Sequence, residues 1–126
     1  ISLGVGSRLP AWCTSLGRLL LADLDDDALR ARLAASSIEP LTRHTLTDID
    51  AIVARVLQAR RQRWCLVNQE LEEGLISIAA PIVDRAGRMV AALNISGQAN
   101  RTSAKVMQET MLPALVGAAQ DISRLL

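Results

Sequence analysis

The chain has 126 residues, half of them apolar, with 14 basic against 13 acidic side chains. That length suits one domain with a single core, and the apolar fraction excludes a disordered chain. No apolar run approaches the ~18 residues of a membrane span, and the flat charge balance lacks the basic excess of a domain that grips nucleic acid.

Phe and Tyr are absent and only Trp12 and Trp64 are aromatic, so the core must be Leu, Ile, Val, Ala and Met. Residues 2–11 alternate weakly and then meet Pro10, which predicts a strand ending in a turn. The next stretch, "CTSLGRLLLADL", predicts a helix capped by Thr14 or Ser15 that carries Leu16, Leu19, Leu20 and Leu24. "DDDALRARLAAS" opens with acidic residues, favourable at a helix N-terminus. Its Leu29 and Leu33 give one apolar stripe. Residues 36–46 contain Pro40 and predict a connection.

Thr47 and Asp50 stand as N-cap and N3 of a third helix. Its Ile49, Ile52, Val53, Val56 and Leu57 follow helical spacing without a miss. Arg60, Arg61 and Arg63 close it where cations suit the dipole. "WCLVNQ" predicts a strand and "LEEGL" a connection hinged at Gly74, with Glu70 and Glu72 on a solvated turn. A last helix runs from about Thr102, with Ala104, Met107, Met111, Leu115, Ala118, Ile122 and Leu125 on one face and a kink at Pro113.

Between these lies "SIAAPIVDRAGRMVAALNIS", two apolar strands around a tight turn. Alternation puts Ile76, Ile78 and Ile82 on one face with Met89, Leu93 and Ile95. Ser77, Asn94 and Ser96 fall on the other face, among Ala79, Pro81, Val83, Val90 and Ala92. A "DRAG" loop sets Ser77 across from Asn94; an "RAGR" loop sets it across from Ser96. The three polar residues either belong to an ordinary exposed face or line a pocket. Their apolar surroundings would make a poor exposed surface, so both faces look covered. An unpaired buried hydroxyl or amide costs on the order of 1–3 kcal/mol, so the cluster needs polar partners.

Cys13 and Cys65 lack C-x-x-C spacing and read as small buried hydrophobes. His44, the only histidine, reads as a surface residue. "GVGSRL" has Leu9 where a dinucleotide fingerprint needs its third glycine, and no H-E-x-x-H, P-loop or G-x-S-x-G occurs. No metal, cofactor or enzymatic activity is expected.

The blocks "GSRLPAWCTSLGRLLLADL", "LTDIDAIVARV" and "VNQELEEGLISIAAPIVDRAGRMVAALNISG" resemble the effector-binding domain of the isocitrate lyase regulator (IclR) family of bacterial transcription factors. The likeness is strongest to the branch that controls aromatic-acid catabolism. It covers nearly the whole chain, in order. It implies an α+β, GAF-like fold with a central, mostly antiparallel sheet and helices on both sides. Residues 1–126 would be a cytoplasmic effector-binding domain, a fragment lacking the N-terminal winged helix-turn-helix domain. DNA would be reached only through that absent domain, with self-association as a homodimer or tetramer and no membrane. The missing initiator Met agrees with a piece of a longer chain.

By the same resemblance, the pocket is lined by Cys13, Thr14, Ser15 and Leu16 at the first helix start, by Asn68 before the hairpin, and by Ser77, Asn94 and Ser96. The effector would be a small aromatic carboxylate such as 4-hydroxybenzoate or protocatechuate. Asn68, where the family often has Asp, would spare that acid a negative neighbour. Arg8 is either a charged clamp for the carboxylate or a surface arginine. Trp12 could stack on the effector, or serve as a core or dimer contact. Two other functions compete. A ligand-free dimerisation scaffold would leave no cavity beside Ser77 and Asn94, and a GAF-type redox enzyme would use Cys13.

Overall fold

The computed structural model describes residues 3–126. Helices α1 (Ser15–Leu21), α2 (Asp26–Ala34) and α3 (Ile49–Gln62) precede strands β1 (Cys65–Asn68), β2 (Leu75–Val83) and β3 (Met89–Gln98). The chain closes with α4 (Ala104–Val106), a π turn (Met107–Met111) and α5 (Leu112–Ser123). The strands form one antiparallel sheet in the order β1-β2-β3. This α+β arrangement has helices on both sheet faces, α1 on one and α5 on the other. No helix among the described residues is long and apolar enough to cross a membrane.

Alternation along β2 divides the core between the two faces. Ile76, Ile78, Ala80 and Ile82 are buried against Met107, Leu115 and Ala119 of the C-terminal helices. Ala79 turns the other way and joins Cys65, Val67, Leu19 and Ala59. Beyond α1, a third cluster of Trp12, Cys13, Leu21, Leu29, Leu33, Ile52, Val53 and Val56 binds α1, α2 and α3 together. Trp12 is therefore a core residue, 5% exposed. Each large aliphatic buried here contributes about 1.5–3 kcal/mol.

Several local expectations are corrected. The described part of residues 2–11 forms no strand; Ser2 lies outside the described residues. Instead a turn closes where the Ser7 N–H donates to Gly4 O (3.0 Å), with Gly6 at φ +89°. The cap of α3 is Asp48, not Thr47: its carboxylate accepts from the Ala51 N–H at 2.9 Å. Of the expected stripe on the last helix, Ala118, Ile122 and Leu125 are exposed and Ala119 is buried instead. The α pattern is interrupted just before Pro113 by the π turn, in which the Leu112 N–H reaches back to Met107 O. A proline ring and its missing N–H break the α ladder at this point.

The hairpin departs most. Ser77 pairs with Ser96, and Ala79 with Asn94, as the "RAGR" loop requires. The register then slips at Ile82/Val83, so that Val83 faces Met89. The Asp84 carboxylate causes this by accepting from both the Ala86 and Arg88 N–H groups at 2.9 Å, with Gly87 at φ +81°. One extra residue near the turn reverses the side chain next to it. Met89 consequently packs with Ala79 and Ala92 rather than with Leu93 and Ile95.

Candidate functional site

Helix α1 lies across the face of the hairpin that carries Ser77. Thr14 has extended backbone geometry (φ −123°, ψ 151°) and caps it, accepting from the Gly17 N–H at 3.1 Å. The same hydroxyl donates to Pro10 O at 2.9 Å, which folds residues 10–14 tightly over the helix start. Gly17 makes that fold possible: a Cβ there would lie 2.3 Å from Ala11 Cα. Ser15, 1% exposed, is joined to Ser77 by a 2.8 Å hydroxyl–hydroxyl bond. On β3, the Asn94 amide donates to Ser96 Oγ at 3.1 Å.

These groups border a hollow of about 500 Å³. Its polar lining is Ser7, Thr14, Ser15, Ser77, Asn94 and Ser96, and its apolar walls include Leu3, Leu9, Leu16, Leu20, Leu71 and Leu75. Leu20 is 50% exposed and Leu3 57%, so the mouth of the hollow is ringed by uncovered leucine. No charged side chain lines it among the described residues. The volume lies in the range of small-molecule pockets, ~300–1,000 Å³, and so does the pattern of apolar walls with a few convergent polar groups.

The structure thus brings together Thr14, Ser15, Leu16, Ser77, Asn94 and Ser96. It separates the other three candidates from this hollow. Cys13 is completely buried in the cluster beneath α1, one residue out of phase with the lining. Burial pushes its thiol up to about 11, against a smaller opposing pull from Arg18. Arg8 stands exposed between Ser7 and Leu9, whose side chains line the hollow while its own does not. Asn68 is exposed at the end of β1 and borders a different cleft of about 300 Å³ with His44, Arg55 and Glu70. Its neighbour Val67 faces the α1 side, as Cys65 does. Among the described residues no group of His, Cys, Asp and Glu could hold a metal ion.

One feature the sequence reading missed is a buried ion pair behind α1. Arg18, 1% exposed, meets Glu70, 8% exposed, through two parallel bonds of 2.8 and 2.6 Å. Glu70 is therefore a buried anchor, not part of a solvated turn. The only sequence signal was an arginine set within the apolar run "LGRLLLA"; its partner lies 52 residues away.

Residues 1–124 match the bacterial transcriptional regulator IclR C-terminal family. The chain belongs to the IclR family. It is 45% identical over 122 residues to the Pca regulon regulatory protein of Pseudomonas putida, covering 97% of this chain and 42% of that protein. A solved Rhodococcus protein described as a transcriptional regulator is 44% identical over 98% of this chain and 50% of its own, with a TM-score of 0.93. The inducer-binding domain of the PobR transcription factor from Acinetobacter, solved as a double mutant in complex with 3-hydroxybenzoic acid, is 32% identical. That match covers 98% of this chain and 70% of the solved one, with a TM-score of 0.92. The chain therefore has the GAF-like fold of IclR effector-binding domains, and it spans less than half the length of the curated relative. These relatives are all described as regulators of transcription.

Proposed function

We propose that this IclR domain senses a small aromatic carboxylate in the hollow between α1 and the hairpin, with Thr14, Ser15, Leu16, Ser77, Asn94 and Ser96 as its contacts. One observation carries the reading: four hydroxyl or amide side chains from three separate elements, Ser15, Ser77, Asn94 and Ser96, converge on one leucine-walled hollow. A hydroxybenzoate has that same division, an apolar ring with polar groups at its edge. Its carboxylate would be held by neutral donors, because no cation lines the hollow among the described residues. The Ser15 and Ser77 hydroxyls bond to each other in this structure, and either can turn to donate to an incoming oxygen. The 3-hydroxybenzoic acid bound by the PobR domain supports this ligand class; 4-hydroxybenzoate and protocatechuate are the nearest variants.

In the whole regulator, binding would favour one arrangement of the effector domains in a dimer or tetramer and so shift the population of DNA-binding arms in the cytoplasm. DNA contact belongs to a separate N-terminal domain in this reading. A cavity beside Ser77 and Asn94 is the opposite of what a ligand-free scaffold needs. The redox alternative also lacks support, since a thiol acts as its exposed thiolate while Cys13 is sealed in the core.

A melting series tests the proposal. At 100 times its dissociation constant a ligand adds about 2.7 kcal/mol, several degrees for a domain of this size. Hydroxybenzoates should give that shift and small 2-oxo acids should not. Flat melting curves across the hydroxybenzoates would reject it.

A further inference from the structure

We propose that the Arg18–Glu70 pair is a positioning strut that sets the width of the hollow. This rests on the reading that the hollow takes a small acid. Helix α1 supplies Leu16 and Leu20 to one wall, and the β1–β2 connection supplies Leu71 to the other. Two residues along a helix turn through about 200°, so Arg18 points away from the hollow, between Leu16 and Leu20 in sequence. There its Nη1 and Nη2 donate to both Glu70 oxygens, and its Nε donates to Trp12 O at 2.9 Å. Glu70 in turn precedes Leu71 and accepts from the Leu46 N–H at 3.0 Å. The Thr45 hydroxyl holds the backbone of the same residue, donating to Glu70 O at 2.6 Å. One rigid fork thus joins both walls, the turn before α1 and the 42–46 connection.

Energetics favour a positional role. A buried pair contributes little more to stability than well-packed apolar residues of similar volume. Its bidentate geometry, however, admits one spacing and one orientation. On the pocket side, α1 is tied to the sheet by the Ser15–Ser77 hydroxyl bond, the type of contact a ligand can replace. The strut would keep the walls in place while that bond opens.

The test replaces the pair in the intact protein by apolar residues, Arg18→Met with Glu70→Leu, and reads amide exchange without ligand. We expect exchange at residues 17–21 and 70–75 to rise at least tenfold, with residues 52–59 of α3 unchanged. Affinity for 3-hydroxybenzoate and 4-hydroxybenzoate should fall at least tenfold. Unchanged exchange at both walls overturns the strut, and so does a rise that includes α3 equally, which marks a role in global stability. Wild-type affinity in the variant also overturns it. If the wild-type protein binds neither acid, the proposed function fails while the exchange data still decide the strut. Should the double variant not fold, Glu70→Gln, which keeps the shape and one acceptor, is read by the same two measurements.

Discussion

The two faces of the hairpin are built from alternate residues of the same strands and do opposite things. Toward α5, Ile76, Ile78, Ala80 and Ile82 meet Met107, Leu115 and Ala119 in a buried apolar core. Toward α1, Ser77, Asn94 and Ser96 border a hollow of about 500 Å³. The buried face holds the strands; the hollow face uses the rigidity it confers. A site needs side chains held within a fraction of an ångström, and a strand whose other face is closely packed supplies that.

Substitutions on the two faces should therefore differ in kind. The largest loss is expected from Ile78→Ala, which empties a fully buried site and should cost about 2–5 kcal/mol, read as a lower denaturant midpoint. An equal cost from Ser77→Ala would break the comparison. Gly17→Ala follows. Its new Cβ meets Ala11 backbone at 2.3 Å, and the forced shift of the fold over α1 should cost about 1–3 kcal/mol, measured by thermal melting, together with weakened effector binding. Ser77→Ala comes next. It removes one hydroxyl partner from buried Ser15, about 0.5–1.5 kcal/mol, and should weaken effector binding more than it lowers the melting temperature. A calorimetric titration beside a melt separates the two effects.

The smallest effect concerns pH. Cys65 is buried among Leu19, Ala59, Val67 and Ala79, and burial raises its thiol, like that of Cys13, to about 11. An unfolded chain loses these protons near the ordinary thiol value of 9.0, while the folded protein holds them. Stability should thus be flat below about pH 9 and decline as pH rises toward about 11. Melting curves across that window should show the decline, and Cys65→Ala should reduce it.

How much of this was legible beforehand follows from the range of each interaction. The helices α2 and α3, the hairpin and the unlike character of its faces are written in spacing, because burial of one face requires one period. Asp48 and Thr47 are adjacent cap residues of similar chemistry, so spacing could not choose between them. The bulge depends on which backbone N–H groups the Asp84 carboxylate reaches. Without the turn, spacing admits both loop registers, and each sets Met89 on the wrong face. Arg8 was misleading because its neighbours Ser7 and Leu9, not Arg8 itself, line the hollow.

By itself, then, the order of residues determined an α+β domain whose hairpin turns Ser77, Asn94 and Ser96 to one side, since strand periodicity is a local property of the backbone. Only the tertiary structure decided that Ser15 meets Ser77 from 62 residues away, that Arg18 finds Glu70, and that Cys13 and Asn68 lie elsewhere. Those outcomes depend on how α1 settles across the sheet, a packing of distant surfaces that no repeat within the chain encodes.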